Sequence, residues 1–166
     1  FAGQLLAKAI YIDADFSAKD FRYVPFDPPV LNIDPTALAS GKFQENNTAQ
    51  TVPIHLDTLA NTNVAFDYCF NLTGDSATVN GLASLADFDT AATHMPVCGV
   101  DTGTVNIAKG DSLPQSALLV YVKKDGLFEG TESFNLNVFD MTGAVLSGNR
   151  RSGYFTLYIQ DADSNS

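Results

Sequence analysis

Three carboxylates fall within eight residues at Asp125-Gly-Leu-Phe-Glu129-Gly-Thr-Glu132-Ser-Phe134, and Asp161 and Asp163 follow a later apolar run. Acidic side chains gathered this closely suit one chemistry above others, the holding of a hard cation. Two unit charges ~4 Å apart repel by up to about 4 kcal/mol at an effective dielectric near 20. Water around a flexible loop relieves part of that repulsion. A divalent ion relieves more, because Ca2+ takes roughly 6–8 oxygen ligands from carboxylates, carbonyls and water. Paired carboxylates also hydrolyse glycosides. A cluster at loop ends on a small module fits ion binding better. No Gly-x-Ser-x-Gly motif, comparable nucleophile setting or phosphate-cradling glycine loop accompanies it, so a non-enzymatic protein is expected. His55 and His94 lack a second His or Cys at ligand spacing, which argues against a zinc-type site.

Cys69 and Cys98 are the only cysteines of the chain. An isolated pair in a β-rich, lysine-poor domain points to a disulfide in an oxidising compartment; the alternative is two buried free thiols. The net charge of −10 repels phosphate backbones, so nucleic acid is excluded as a partner class, and an anionic membrane gains little from it. Acidic excess also serves solubility, and the positions of the carboxylates decide between that role and cation binding. No run of 18 apolar residues is present, so no membrane insertion by a helix is expected. The chain begins at Phe1 with neither Met nor a signal peptide, and reads as a processed or excised piece of something longer.

The elements that must position these groups are strands. Hydrophobic residues make up 45% of the 166, with 12 Phe and 6 Tyr, enough to fill a sizeable core. Val52, Ile54 and Leu56 alternate with polar partners, as do Val64, Phe66, Tyr68 and Phe70. Leu118, Val120 and Val122, then Phe134, Leu136 and Val138, then Phe155, Leu157 and Ile159 repeat the period of two that marks a strand with one buried face. Turn sequences separate the runs at Thr73-Gly74-Asp75, Asn80-Gly81, Lys109-Gly110-Asp111, Asp125-Gly126 and Ser147-Gly148-Asn149. About seven strands with such turns and no amphipathic helix predict an all-β, Greek-key, immunoglobulin-like sandwich.

The order of these elements resembles that of Calx-beta domains, modules named after sodium–calcium exchangers and found also in integrin-associated and bacterial surface proteins. Phe43-Gln44-Glu45-Asn46 matches the family's acidic residue near its first strand. Gly81-Leu-Ala83 with Ala86-Asp87-Phe88, and Gly103-Thr-Val-Asn-Ile-Ala-Lys-Gly110, match its following passages. Glu129-Gly-Thr-Glu132-Ser-Phe134 matches its acidic loop, the most specific element, and Ile159-Gln-Asp161-Ala-Asp163 its closing strand. The likeness spans about residues 43–163. It implies Ca2+ as the bound ion, with Glu45, Asp87, Asp125, Glu129, Glu132, Asp161 and Asp163 as ligands. Asp89 is an alternative to Asp87, and the Leu127 carbonyl an additional donor. Where calcium-binding members carry Asp-Asp pairs, this chain has Lys124-Asp125 and Asp161-Ala162, which implies one or two ions rather than more.

The first 40 residues differ in character. Residues 4–12 are nearly all apolar and run into Asp13-Ala-Asp15; Ile10, Tyr11 and Ile12 favour a strand. Pro25, Pro28, Pro29 and Pro35 predict an extended tether over residues 25–35. Residues 1–40 are therefore read as strand plus tether, and 41–166 as the sandwich. The strand pairs either with an edge of its own sandwich or, through Leu5, Leu6, Ile10 and Ile12, with a neighbouring copy, as a donor strand that builds a fibre head to tail. Three roles follow: an extracellular structural or adhesive module of a cell-surface protein stiffened by Ca2+, a filament subunit, or a regulatory calcium sensor. Asn46-Asn-Thr48 and Asn71-Leu-Thr73 are glycosylation sequons, of consequence only in a glycosylating organism.

Overall fold

A computed structural model describes residues 5–12, 18–74 and 81–163, with side chains from Asp27 onward. Asp13-Ala-Asp15, Asp75 and Asn80, expected at turns or strand ends, lie outside the described residues. The described residues form eleven strands: β1 (Leu5–Ile12), β2 (Ala18–Phe26), β3 (Leu31–Ile33), β4 (Phe43–Gln44), β5 (Ala49–Thr51), β6 (Ile54–Leu56), β7 (Val64–Asn71), β8 (Gly103–Ile107), β9 (Leu119–Tyr121), β10 (Thr131–Thr142) and β11 (Gly153–Gln160). The only helical elements among the described residues are three 3-10 turns of three residues each.

The principal sheet has the order β4-β11-β10-β7-β8, antiparallel except where β4 runs parallel to β11. The β3-β6 and β5-β9 ladders complete the sandwich. The long strands are those whose period of two is clearest. On β10, Glu132, Phe134, Leu136 and Val138 are all buried, and their neighbours point outward. Phe134 stands at the centre of the aromatic core, with ring centroids 5.7 Å from Phe43, 6.0 Å from Phe70 and 5.0 Å from Phe88. Tilted and edge-on contacts of this kind add ~0.5–1.5 kcal/mol beyond the area buried.

Two expectations change. The run Val52–Leu56 is not one strand: β5 pairs with β9 and β6 with β3, with Val52-Pro53 between them. Proline has no N–H to give a ladder, so the chain changes partner there. The segment read as a tether also contributes to the core. Val30 bridges Val145, β3 pairs with β6, and Leu31 is fully buried, so the packed sandwich begins about ten residues before Lys42. Prolines bound this short ladder without entering it, and the composition of residues 25–35 hides it.

The N-terminal apolar run is a strand, and it pairs with β2 within its own chain. Leu5 faces Phe26, Leu6 faces Pro25, Ile10 faces Phe21 and Ile12 faces Ala18. Residues 18–26 alternate too weakly to announce themselves as that partner.

Cys69 and Cys98 form a disulfide, with Cα atoms 4.9 Å apart. Backbone bonds from Phe70 N–H to the Pro96 carbonyl (2.8 Å) and from Cys98 N–H to the Phe70 carbonyl (2.9 Å) tie the long 89–102 connection to β7 beside it. This clamp fixes the 89–102 connection against β7.

Candidate metal centre

Three of the buried carboxylates arise from one simple rule of strand geometry. Residues two apart on a strand share a face, and each of these acidic residues extends an inward-facing apolar row by one step. Glu45 follows Phe43, Glu132 precedes Phe134, and Asp161 follows Leu157 and Ile159. Register then aligns the rows: Glu132 lies opposite Ile159, and Ile159 opposite Phe43. The core thus ends, at one pole, in carboxylates drawn from three adjacent strands.

The connections add the others. Ser84 caps the 3-10 turn Leu85–Asp87, with the Asp87 Oδ2 accepting from Ser84 N–H (2.5 Å) and Ser84 Oγ accepting from Ala86 N–H (3.1 Å). This reciprocal box orients Asp87 inward. Its Ser-x-x-Asp spacing, Ser84-Leu-Ala-Asp87, is a signal present in the sequence itself. The β9–β10 loop supplies Glu129, and its turn depends on Gly130, whose φ of 77° is unfavourable for a side chain.

Two groups of three result. Ligand oxygens of Asp87, Glu129 and Glu132 lie within 4.8 Å of one another, as do those of Glu45, Asp161 and Asp163. Asp125 belongs to neither trio. It is exposed, its Oδ1 accepts from Leu127 N–H (2.8 Å), and its charge is felt by Glu45, Asp87 and Glu129. Asp89 is apart from both: its Oδ1 accepts from Ala92 N–H (3.1 Å) in a turn. Leu127 is exposed at the loop tip.

The trios differ in how their oxygens are satisfied. In the first, Asp87 Oδ1 and all four carboxylate oxygens of Glu129 and Glu132 are buried with no hydrogen-bond partner. Glu132 is 1% exposed and Glu129 2%. Burial pushes the Glu132 carboxyl up to about 8 and Glu129 up to about 7, and neighbouring carboxylates push both further in the same direction. Burial likewise raises Asp87, against the pull of the Ser84 hydrogen bonds. A buried carboxylate without donors is among the costliest groups a fold can hold. An oxygen-only donor set that lacks hydrogen bonds is what a hard divalent cation takes.

In the second trio, burial pushes Asp161 upward, but backbone donors outweigh it and bring its carboxyl below the usual range. Its Oδ2 accepts from Glu129 N–H (2.5 Å) and Gly130 N–H (2.9 Å), and its Oδ1 from Asp163 N–H (2.6 Å). Glu45, pushed up to about 7 by burial, accepts from Ala162 N–H (3.3 Å) and shares a hydrogen bond with Asp161. Asp163 accepts from Gly126 N–H (3.0 Å) and pairs with Lys124 Nζ at 3.5 Å.

No family model matches this chain, and no curated protein does. Among solved structures it is similar to the apo form of the Calx CBD1 domain, with 18% identity, 82% of this chain and 100% of that one covered, and a TM-score of 0.51. It is also similar to the calcium binding domain CBD12 of CALX1.1, at 18% identity over 75% of this chain and 44% of that one, TM-score 0.48. CBD12 from CALX1.2 gives 21% identity over 74% and 42%, TM-score 0.49. This chain spans less than half of those two longer proteins. At such identity the likeness is one of fold. In fold, the chain is a Calx-beta-like β-sandwich.

Proposed function

We propose that this chain is a non-enzymatic Ca2+-binding structural module of an extracellular or cell-surface protein, in which the ion locks one pole of the sandwich. The observation that carries the reading is the set of five buried, unpartnered carboxylate oxygens of Asp87, Glu129 and Glu132. All donors are oxygens, and neither trio includes His or Cys, which favours Ca2+ over zinc or copper. The Calx CBD1 likeness supports the reading at the level of fold. An ion held there ties the turn after residue 84 to the start of β10, and through the neighbouring trio to β4 and β11. Motion at that pole is then resisted by metal–oxygen bonds in place of charge repulsion. The Cys69–Cys98 disulfide supports an oxidising compartment and so an extracellular module over a cytosolic sensor.

The test is thermal unfolding with EDTA and with added Ca2+. An ion that binds only the folded state stabilises it by about 2.7 kcal/mol at a hundredfold excess over Kd, so the melting temperature rises with Ca2+ and falls with chelator. A melting curve unchanged across millimolar Ca2+ rejects the reading.

Strand donation between copies remains the second reading, and one observation favours it. Among the described residues the outer side of β11 is paired only at Ile159 and Gln160, by β4, which leaves the edge along Gly153–Tyr158 without a ladder partner there. Such an edge is a template for another strand. Deleting residues 1–20 then converts filaments seen by negative-stain microscopy to soluble monomers, and filaments that survive deletion dismiss it.

A further inference from the structure

The two trios carry the same number of carboxylates but unequal provision for their charge. Near Asp87, Glu129 and Glu132 stands Lys123, whose charge acts on Asp87 but whose Nζ donates to the Ala86 carbonyl (3.0 Å). Around Glu45, Asp161 and Asp163, five backbone N–H groups donate, from Gly126, Glu129, Gly130, Ala162 and Asp163. A cation is also built in: Lys124 Nζ stands 3.5 Å from Asp163 Oδ1. Its backbone is held at that spot, because Lys124 N–H donates to Asn47 Oδ1 at 2.9 Å. Asp163, 17% exposed, is more enclosed than Lys124 at 45%, so the lysine reaches inward from the rim.

We propose that Lys124 acts as a tethered monocation for the second trio, so that the chain takes one Ca2+, at Asp87–Glu129–Glu132, and admits a second at Glu45–Asp161–Asp163 only when Lys124 is removed. This rests on the calcium reading above and adds the number of ions and the residue that sets it. The physical reason is local electroneutrality. Backbone donors already use both lone pairs of Asp161 Oδ2 and one of Oδ1, which leaves few free ligand positions. A divalent ion entering beside an ammonium must also overcome like-charge repulsion, twice that between two unit charges at the same separation. In the first trio only Asp87 Oδ2 accepts from the backbone, and Lys123, whose charge acts on Asp87, donates to a carbonyl and, among the described residues, pairs with no carboxylate, so the five bare oxygens favour occupancy.

Titration calorimetry with CaCl2 on the full chain at pH 8 decides it. The wild type takes up one ion per chain, Lys124→Gln takes up two, and Lys124→Arg, which keeps the positive charge, returns the count to one. Lys124 is half exposed and outside the core, so these variants fold, as a melting curve in EDTA verifies. Two ions in the wild type, or a single ion in Lys124→Gln, overturns the inference while leaving the calcium reading intact. If the wild type and Lys124→Gln both show no heat and no Ca2+-dependent melting shift, both fall. Glu132→Gln separates the sites: it removes the single wild-type event, and in a Lys124→Gln background it leaves the second.

Discussion

Asp161 and Glu132 lie on neighbouring strands at the same pole, both nearly shielded from water, yet their carboxyl groups are displaced in opposite directions. Three backbone N–H groups converge on Asp161 and hold it ionised. None reaches Glu132, whose oxygens face other carboxylates. Burial alone therefore does not set the state of an acid; the supply of donors does. Asp161 is charged and settled without a metal, and Glu132 is frustrated until a cation or a proton arrives.

The largest expected effect exploits this difference through pH. Glu45, Glu129 and Glu132 have ordinary values near 4.5 and folded values near 7, 7 and 8, so between about pH 4.5 and 8 the folded state binds more protons than the unfolded one. In EDTA, stability is therefore full below pH 4.5 as far as these groups are concerned. It declines as pH rises, by roughly several kcal/mol in total, and levels off above pH 8. Saturating Ca2+ replaces the protons of Glu129 and Glu132 and removes their share of the decline, leaving the share due to Glu45. Denaturant titrations at pH 5 and pH 8, with and without Ca2+, measure both arms. Stability that rises with pH in EDTA would break the comparison.

Glu132→Gln is next in size, and its sign depends on the metal. In EDTA at pH 8 it removes a buried charge and raises the melting temperature. With Ca2+ it removes a central ligand. Loss of groups that merely support ligands costs ~10–100-fold in metal affinity, so the calcium-dependent stabilisation falls by on the order of 100-fold in affinity or more. Differential scanning fluorimetry across a Ca2+ series reads both signs.

Asp161→Asn has the smaller effect, and the same sign throughout. It weakens charge-assisted bonds from Glu129, Gly130 and Asp163 N–H, at about 1–3 kcal/mol, with or without Ca2+. An Asp161→Asn loss confined to the Ca2+ condition would mean that Asp161 is a ligand first and a loop anchor second.

Much of this was legible before folding. Strands β7, β10 and β11 stand out because one face of each is buried, and burial imposes a period of two on residue type. The acidic loop was legible because Asp125, Glu129 and Glu132 are neighbours in sequence. Short ladders were not. Strands β3 to β6 have two or three residues each, too few for a period to show, and Pro53 and the prolines around β3 mask their role. Strand β2 was missed because its alternation is weak. Glu45 and Asp87 came into view only through the family resemblance, since each lies more than thirty residues from the acidic loop.

Residue types and their alternation alone determined that this chain makes a β-sandwich and that its inward rows end in acid. That information is local, carried by spacing along one strand. Which carboxylates share a site was decided by strand register, which brings Glu45 to Asp161 and leaves Asp125 at the rim. Which of them stay charged was decided by where backbone N–H groups point after folding. Both depend on contacts between residues distant in sequence, and such contacts exist only once the sheets have packed.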